Sequence, residues 1–518
     1  MKKLLPFFAI AILVAACGTS KSTSTTTTVK APANPTKYAE TITAEDLKTA
    51  LYIYAGDAFE GRETGKEGEK MAVEFIKKHY IEDGIPAAKS DGNYFQDVPL
   101  QIMAVPDIKL TVNGKSFTNI DDYVSVSSVK DGELDTKDII YAGFGIEDEN
   151  FSSYEGIDVK GKVVVFRSGE PKKANGMYVI SGTEEGSKWS NMRQQFASKQ
   201  ELAKSKGAKA VLFYYPEVYT MAANRFGKSS GRMALASGGN DMMYMLINTD
   251  LAKALVSDID TNEKSMSVNT DLSITYKNNS EKINSSNVAA IIRGSEKPNE
   301  YIVISAHLDH EGIKDGEVYN GADDDGSGTV AVLEIAEAFA KAKKDGHGPK
   351  RSIVFLNVTG EEKGLLGSKH YTDNDPIFPL VDTVADLNID MIGRTDPKRE
   401  KKNRNYLYLI GSDKLSTELH NISEAMNTKY MNIDLDYTFN DENDPNRYYY
   451  RSDHYNFAKN NVPVIFYFNG THDDYHQPGD TPDKIQYDLL ENRTRLVFYT
   501  AWELANRDAR ITVDKATE

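Results

Sequence analysis

The spacing of apolar positions changes character along the chain. From about Ala44, the residues Leu47, Leu51 and Tyr54 recur at helical spacing. The run Glu60-Gly61-Arg62-Glu63-Thr64-Gly65 breaks that pattern, and Met71, Phe75, Ile76 and Tyr80 predict a second amphipathic helix. Between about Pro106 and Tyr276 the periodicity is different. Short β-type runs, Asp138 to Tyr141 and Lys162 to Phe166, alternate with turn signals, and a helix around Leu202-Ala203-Lys204 leads into a strand at Val211 to Tyr214.

From Asn287 onward, strands and helices alternate. The apolar runs Tyr301 to Ala306, Ser352 to Val358, Val384 to Ile389, Tyr406 to Ile410 and Val462 to Phe468 predict buried strands, and Val330, Leu333, Ala336, Phe339 and Ala340 have a helical period. Such alternation predicts an α/β fold, a mostly parallel-centred mixed sheet flanked by helices. In sheets of this kind the ligand crevice lies beyond the carboxyl ends of the strands.

Composition adds boundaries to this picture. The formal net charge of -16 over 518 residues disfavours nucleic acid as a partner, because phosphate backbones would be repelled. The chain opens with Lys2 and Lys3, an apolar run from Leu4 to Val14, and small residues before its single cysteine, Cys17. That is the layout of a signal peptide, and Leu13-Val14-Ala15-Ala16-Cys17 resembles the bacterial lipobox, in which the cysteine is acylated. The expected organisation is a signal segment over 1–17, a Ser/Thr/Pro-rich tether over 18–37, and a catalytic part in two pieces, 38–105 and 277–510. An insertion over 106–276 and a tail over 511–518 complete it. The lipid on Cys17 would hold the protein to a membrane in the bacterial cell envelope, on the periplasmic or outer-membrane side.

Candidate chemistry gathers at the strand ends. His307-Leu308-Asp309-His310 follows the first predicted strand of the alternating region, and a Gly-rich turn, Asn320 to Gly328, carries Asp323-Asp324-Asp325. Glu361-Glu362, Asp390 and the loop His472-Asp473-Asp474-Tyr475-His476 each close a later strand. Carboxylates packed this densely repel one another, and divalent cations supply the missing countercharge. Imidazole and carboxylate donors without cysteine suit a catalytic site for zinc or a harder dication. Read one by one, Asp323 to Asp325 also fit a helix N-cap cluster and Glu361-Glu362 a solvated face.

In combination the segments resemble the dizinc aminopeptidases related to bacterial leucyl aminopeptidase, aminopeptidase S, glutamate carboxypeptidase and glutaminyl cyclase. The matching stretches are His307-Leu308-Asp309, Gly321 to Gly328, Thr359 to Ser368, Leu387 to Arg394, Ser452-Asp453-His454 and Asp474 to Thr481, with Glu60 to Gly65 fitting the N-terminal part. The resemblance implies the zinc-exopeptidase (phosphorylase/hydrolase-like) fold and two divalent metal ions, expected to be zinc. It implies Asp324 as the bridging ligand, His307 and Asp390 on one ion, and Glu362 and His476 on the other. Glu361 would be the general base, Tyr475 an oxyanion donor, and Asp309 the acceptor of a hydrogen bond from His307. Asp453 and His454, and His472 beside the metal loop, would be supports.

The expected activity is release of N-terminal amino acids from peptides with a free N-terminus, through hydroxide activated by the two ions. The insertion, with Tyr154 to Val165 and Ala203 to Val211, resembles a protease-associated (PA) domain. Alternatives are a glutamate-carboxypeptidase-like exopeptidase, for which Arg394, Arg447 and Arg451 are the nearby cations, a glutaminyl cyclase, or a non-catalytic receptor-like binding protein. His79, His347, His370 and His420 lack such context and are expected to be ordinary packing or surface histidines. Oligomeric state and preferred N-terminal residue are not legible.

Overall fold

A computed structural model describes residues 34–192, 194–229, 231–236, 242–399 and 403–515. Cys17, the lipobox and most of the tether fall outside these residues. Among the described residues no helix is long and apolar enough to cross a membrane.

The main sheet, counted over the described residues, contains β1 (Phe95–Ile102), β2 (Met233–Leu235), β3 (Glu281–Ile292), β4 (Lys297–His307), β5 (Arg351–Val358), β6 (Thr383–Ile389), β7 (Tyr406–Ile410), β8 (Asp434–Asp436) and β9 (Val464–Phe468). Their order is β2-β1-β3-β5-β4-β6-β9-β7-β8. At the centre, β5, β4, β6 and β9 run parallel, whereas β1 to β3 add antiparallel on one side and β7 antiparallel to β9 on the other. The sheet is therefore mixed with a parallel centre, as the alternation of strands and helices predicts. Strands β5 and β6 are buried at every position. A central strand covered on both faces can take apolar β-branched residues without alternation, which is why these runs read as continuous.

Helices supply the cover. α1 (Ala44–Tyr54) starts at Thr43, whose side chain accepts the Asp46 N–H, and buries Leu47, Leu51 and Tyr54. α2 (Glu67–Glu82) buries Ala72, Ile76 and Tyr80. α3 (Gly328–Lys344) sits deepest, with Val330, Leu333, Ile335, Ala336 and Phe339 all buried. α4 (Tyr487–Asn506) packs on α3, where Phe498 and Trp502 meet Phe339 with ring centroids 4.8 and 5.6 Å apart.

Most of the segment from 107 to 277 builds a second sheet, eight-stranded among the described residues. Successive residues of its strands point to opposite faces, so Val165, Leu212 and Met245 enter one apolar cluster and Val164, Phe213 and Tyr244 another. Helices Gln194–Ser205 and Pro216–Phe226 cover the second cluster, and Thr249–Leu255 covers the first. The segment is thus more helical than its β-type runs suggest. β2, although it lies inside this stretch of sequence, pairs with β1 at the edge of the main sheet. The C-terminal tail begins packed: Ile511 is buried, and Arg510 just before it donates to the Thr383 carbonyl.

Candidate metal centre

Four of the five expected ligands sit at or follow the ends of parallel strands. His307 is the last residue of β4, Asp390 follows β6, Glu361 and Glu362 follow β5, and His476 lies in the loop after β9. Asp324 comes from the turn between the 317–319 strand and α3. Because β5, β4, β6 and β9 are parallel neighbours, these ends open on one crevice.

The Asp323-Asp324-Asp325 triplet divides by hydrogen bonding. Asp325 accepts the main-chain N–H groups of His307, Gly328 and Met391 at 3.0–3.2 Å, so its oxygens are committed to holding three ligand loops together. Asp323 accepts the Gly393 N–H at 2.6 Å and the Ser327 hydroxyl, and His472 Nε2 lies 3.2 Å from its other oxygen. Among the described residues Asp324 has no such donors. Its Oδ1 stands 3.1 Å from His307 Nε2 and its Oδ2 3.0 Å from His476 Nε2, so the carboxylate faces a histidine on each side. The carboxylate of Asp480 fixes this turn by accepting the N–H groups of Asp323 and Asp324. Sequence reading placed Asp480 in a motif without giving it a task.

The donor set fits divalent cations. His307 Nδ1 donates to the main-chain oxygen of Asp309 at 3.0 Å, which leaves Nε2 and its lone pair for the crevice. His307 Nε2, Asp324 Oδ2 and Glu362 Oε1 are buried and lack a hydrogen-bond partner among the described residues. The spacings of 3.1 Å from His307 Nε2 to Asp324 Oδ1, 3.0 Å from His476 Nε2 to Asp324 Oδ2 and 3.2 Å from His476 Nε2 to Glu362 Oε2 are those of neighbouring ligands on an ion with bonds of about 2.0–2.2 Å. The electrostatics agree. Burial disfavours a charged His307, yet Asp324 and Asp390 outweigh it and hold the ring well above its ordinary range. Burial opposes His476 as well, but Asp324 and Glu362 push it up to about 10. Both shifts show that the carboxylates here demand positive charge, which a cation would supply.

Asp309 acts differently from expectation. Its carboxylate is 3.9 Å from His307 Nδ1, because the nearer main-chain oxygen has taken that N–H. The carboxylate instead accepts the Thr64 hydroxyl at 2.7 Å and the Glu361 N–H at 3.1 Å. It therefore steadies the main chain of Glu361 and ties Glu60-Gly61-Arg62-Glu63-Thr64 to the centre.

Glu361 lines the cleft with Asp324, Asp390, Met391 and Tyr475. Burial raises its carboxyl well above the usual range, with Glu362, Asp390 and Asp453 adding to the effect. Tyr475 stacks on His476 with centroids 4.0 Å apart, and its phenol oxygen accepts from Arg451 at 3.3 Å. Asp453 is buried and accepts from Ser368. His454 stacks on Phe466 at 4.7 Å and supports the floor by packing.

The three arginines separate. Arg394 is held by Asp474 at 3.0 Å and Arg447 lies over Tyr450, whereas Arg451 lines the cleft. His79, His347 and His420 meet Phe75, Tyr38 and Ser412, and His370 Nε2 lies 4.0 Å from an Asp375 carboxylate oxygen. His310, by contrast, is buried in the centre, with Nδ1 2.8 Å from Glu362 Oε1. Its adjacency to the His307-Leu308-Asp309 motif was the available signal.

Several known proteins are similar to this chain. A "Probable zinc metalloprotease" of Pyrenophora tritici-repentis is 33% identical over 143 residues, which are 26% of this chain and 32% of that protein. A "Probable glutamate carboxypeptidase LAMP1" of Arabidopsis thaliana is 35% identical over 104 residues, 20% of this chain and 14% of that protein. The chain thus spans about a third or less of these relatives. The solved aminopeptidase from Aneurinibacillus sp. strain AM-1 superposes over 93% of this chain and 99% of its own, with 18% identity and a TM-score of 0.46. Residues 287–501, which contain all five expected metal ligands and Glu361, match the family model of peptidase family M28.

Proposed function

We propose that the protein is a metallo-aminopeptidase that removes N-terminal residues from peptides at the centre formed by His307, Asp324, Glu362, Asp390 and His476. The observation that carries this reading is Asp324, whose two oxygens face His307 and His476 at 3.1 and 3.0 Å while its neighbours are spent on N–H donors. Two divalent ions, zinc in this reading, would polarise the scissile carbonyl and acidify the attacking water.

Glu361 ligates nothing in this arrangement. Its carboxylate accepts the proton of that water and returns it to the leaving amine. Asp309 keeps the Glu361 main chain in place through the 3.1 Å hydrogen bond. Arg451 donates to the Tyr475 phenol oxygen, so the phenolic hydrogen is left to reach the substrate carbonyl oxygen. Asp324, Glu361 and Asp390 line the cleft, while Met391, Phe466 and Phe468 offer apolar surface to the first side chain of a peptide.

One observation favours a second reading. Arg451 at the same cleft has the chemistry to take a substrate carboxylate, as a glutamate-releasing exopeptidase requires. Aminoacyl-naphthylamides and N-blocked peptides, each with and without chelator, separate the two. Cleavage of free-amine substrates, abolished by chelation and restored by zinc, supports the aminopeptidase; activity confined to blocked peptides refutes it.

We also propose that Cys17 carries the lipid that holds the protein in the cell envelope, and that 106–276 is a protease-associated insertion. The support for the anchor is the lysine-led apolar run that ends in Leu13-Val14-Ala15-Ala16-Cys17. Incorporation of labelled fatty acid that disappears in Cys17→Ser tests it, and equal labelling of both proteins refutes it.

A further inference from the structure

We propose that His310 is an additional metal ligand, so that one of the two metal positions is held by two histidines: His310 from inside the protein and His476 from the cleft. The proposal rests on the reading of the centre as a two-metal site and concerns a residue outside the expected ligand set.

His310 is fully buried, and neither ring nitrogen has a hydrogen-bond partner among the described residues. Buried imidazole nitrogens are seldom left this way, because desolvation is then uncompensated. Nδ1 nevertheless stands 2.8 Å from Glu362 Oε1 and 3.9 Å from Asp324 Oδ2. At 2.8 Å the pair is close enough for a hydrogen bond but lacks its alignment, as expected when two lone pairs aim at one point between them. His476 Nε2 approaches the same two carboxylates from the other side, at 3.2 Å from Glu362 and 3.0 Å from Asp324. The two rings are edge-on, with centroids 5.7 Å apart.

The ring is aimed by packing. Gly321 lies against it in a left-handed conformation, and a Cβ there would fall 2.5 Å from the His310 ring carbons. The His310 N–H donates to the Arg62 carbonyl, which fixes the main chain. A side chain so constrained, with an open nitrogen facing two carboxylates, is built for a cation. Position one, with His307 and Asp390, then carries one imidazole, and position two carries two.

The full-length protein, stripped with chelator and reloaded with zinc, gives a direct count by X-ray absorption. Three imidazoles per two zinc ions are expected; two per two overturn the proposal. Cobalt titration of wild type and His310→Ala supplies a second measure. His310→Ala is expected to keep the first equivalent and weaken the second by more than about 100-fold, beyond the 10- to 100-fold typical of groups that only orient a ligand. The visible spectrum of the second equivalent should change with it. A smaller loss with an unchanged spectrum shows that His310 only supports Glu362, and that also overturns the proposal. If His310→Ala lowers the melting temperature of the metal-free protein, His310→Leu, which fills most of the ring's space without a donor atom, takes its place. Failure of wild type itself to bind two ions refutes the metallo-aminopeptidase reading instead, so the two failures are distinct.

Discussion

Arg62→Met tests whether the N-terminal segment holds the metal loops in place. Arg62 is 1% exposed and has left-handed main-chain angles. Its guanidinium donates to the carbonyls of Leu308, Tyr54, Asn320 and Gly321 at 2.7–3.3 Å, and lies 4.6 Å from the centre of the Tyr54 ring. Leu308 lies between His307 and Asp309, and Asn320-Gly321 leads into the Asp324 turn, so one side chain ties both ligand loops to α1. Four hydrogen bonds at about 1 kcal/mol each give a loss of about 4 kcal/mol. Leu308 O keeps the Tyr54 hydroxyl and Gly321 O keeps the Gly326 N–H, which brings the expectation down to about 3 kcal/mol. At about 2 °C per kcal/mol for a large domain, the metal-free protein should melt about 6 °C lower. Arg62→Lys should recover less than half, since one ammonium cannot span four carbonyls that a planar fork reaches together. Calorimetry of metal-free protein, followed by cobalt titration, reads both stability and ligand placement. A shift below about 2 °C with unaltered cobalt affinity would show that the loops hold themselves and that the argument from these hydrogen bonds is wrong.

Other consequences are separable. Glu361→Gln should keep both metal equivalents by elemental analysis while turnover falls by about 10²–10⁴, whereas Asp324→Ala should lose metal; a fully active Glu361→Gln removes Glu361 as the base. Arg451→Leu should lower the preference for substrates bearing a carboxylate near the cleaved bond by about tenfold relative to neutral ones, measured as a ratio of kcat/KM, consistent with loss of one charge-assisted contact. Glu334 on α3 is pushed up to about 8 by burial, with Glu337, Asp46 and Asp83 adding to the effect. A carboxyl raised by folding favours the native state at low pH, and that benefit fades as pH climbs through the folded value. Glu334→Gln should therefore raise the melting temperature relative to wild type at pH 8, with the gap closing toward pH 4.5; a gap independent of pH would contradict the assignment.

The chain announces its sheet more openly than its centre. Runs such as Ser352 to Val358 are legible because a strand covered on both faces needs no polar alternation. β2 escapes the same reading: Met233–Leu235 is three residues long, and it joins the main sheet by pairing with β1 from far along the sequence. At the centre, residue types and spacing name the ligand segments but not the division of labour within them. Asp323, Asp324 and Asp325 are chemically identical in sequence, and what separates them is which N–H groups the loops after β4 and β6 present. Asp309 shows the same limit, because a main-chain oxygen 3.0 Å from His307 Nδ1 displaced its carboxylate to Thr64 and Glu361. A carboxylate that meets backbone donors becomes scaffold, and one that meets only imidazoles is left for a cation. By that criterion His310, whose nitrogens meet, among the described residues, no donor or acceptor except the carboxylates of the centre, belongs with Asp324 rather than with Asp309.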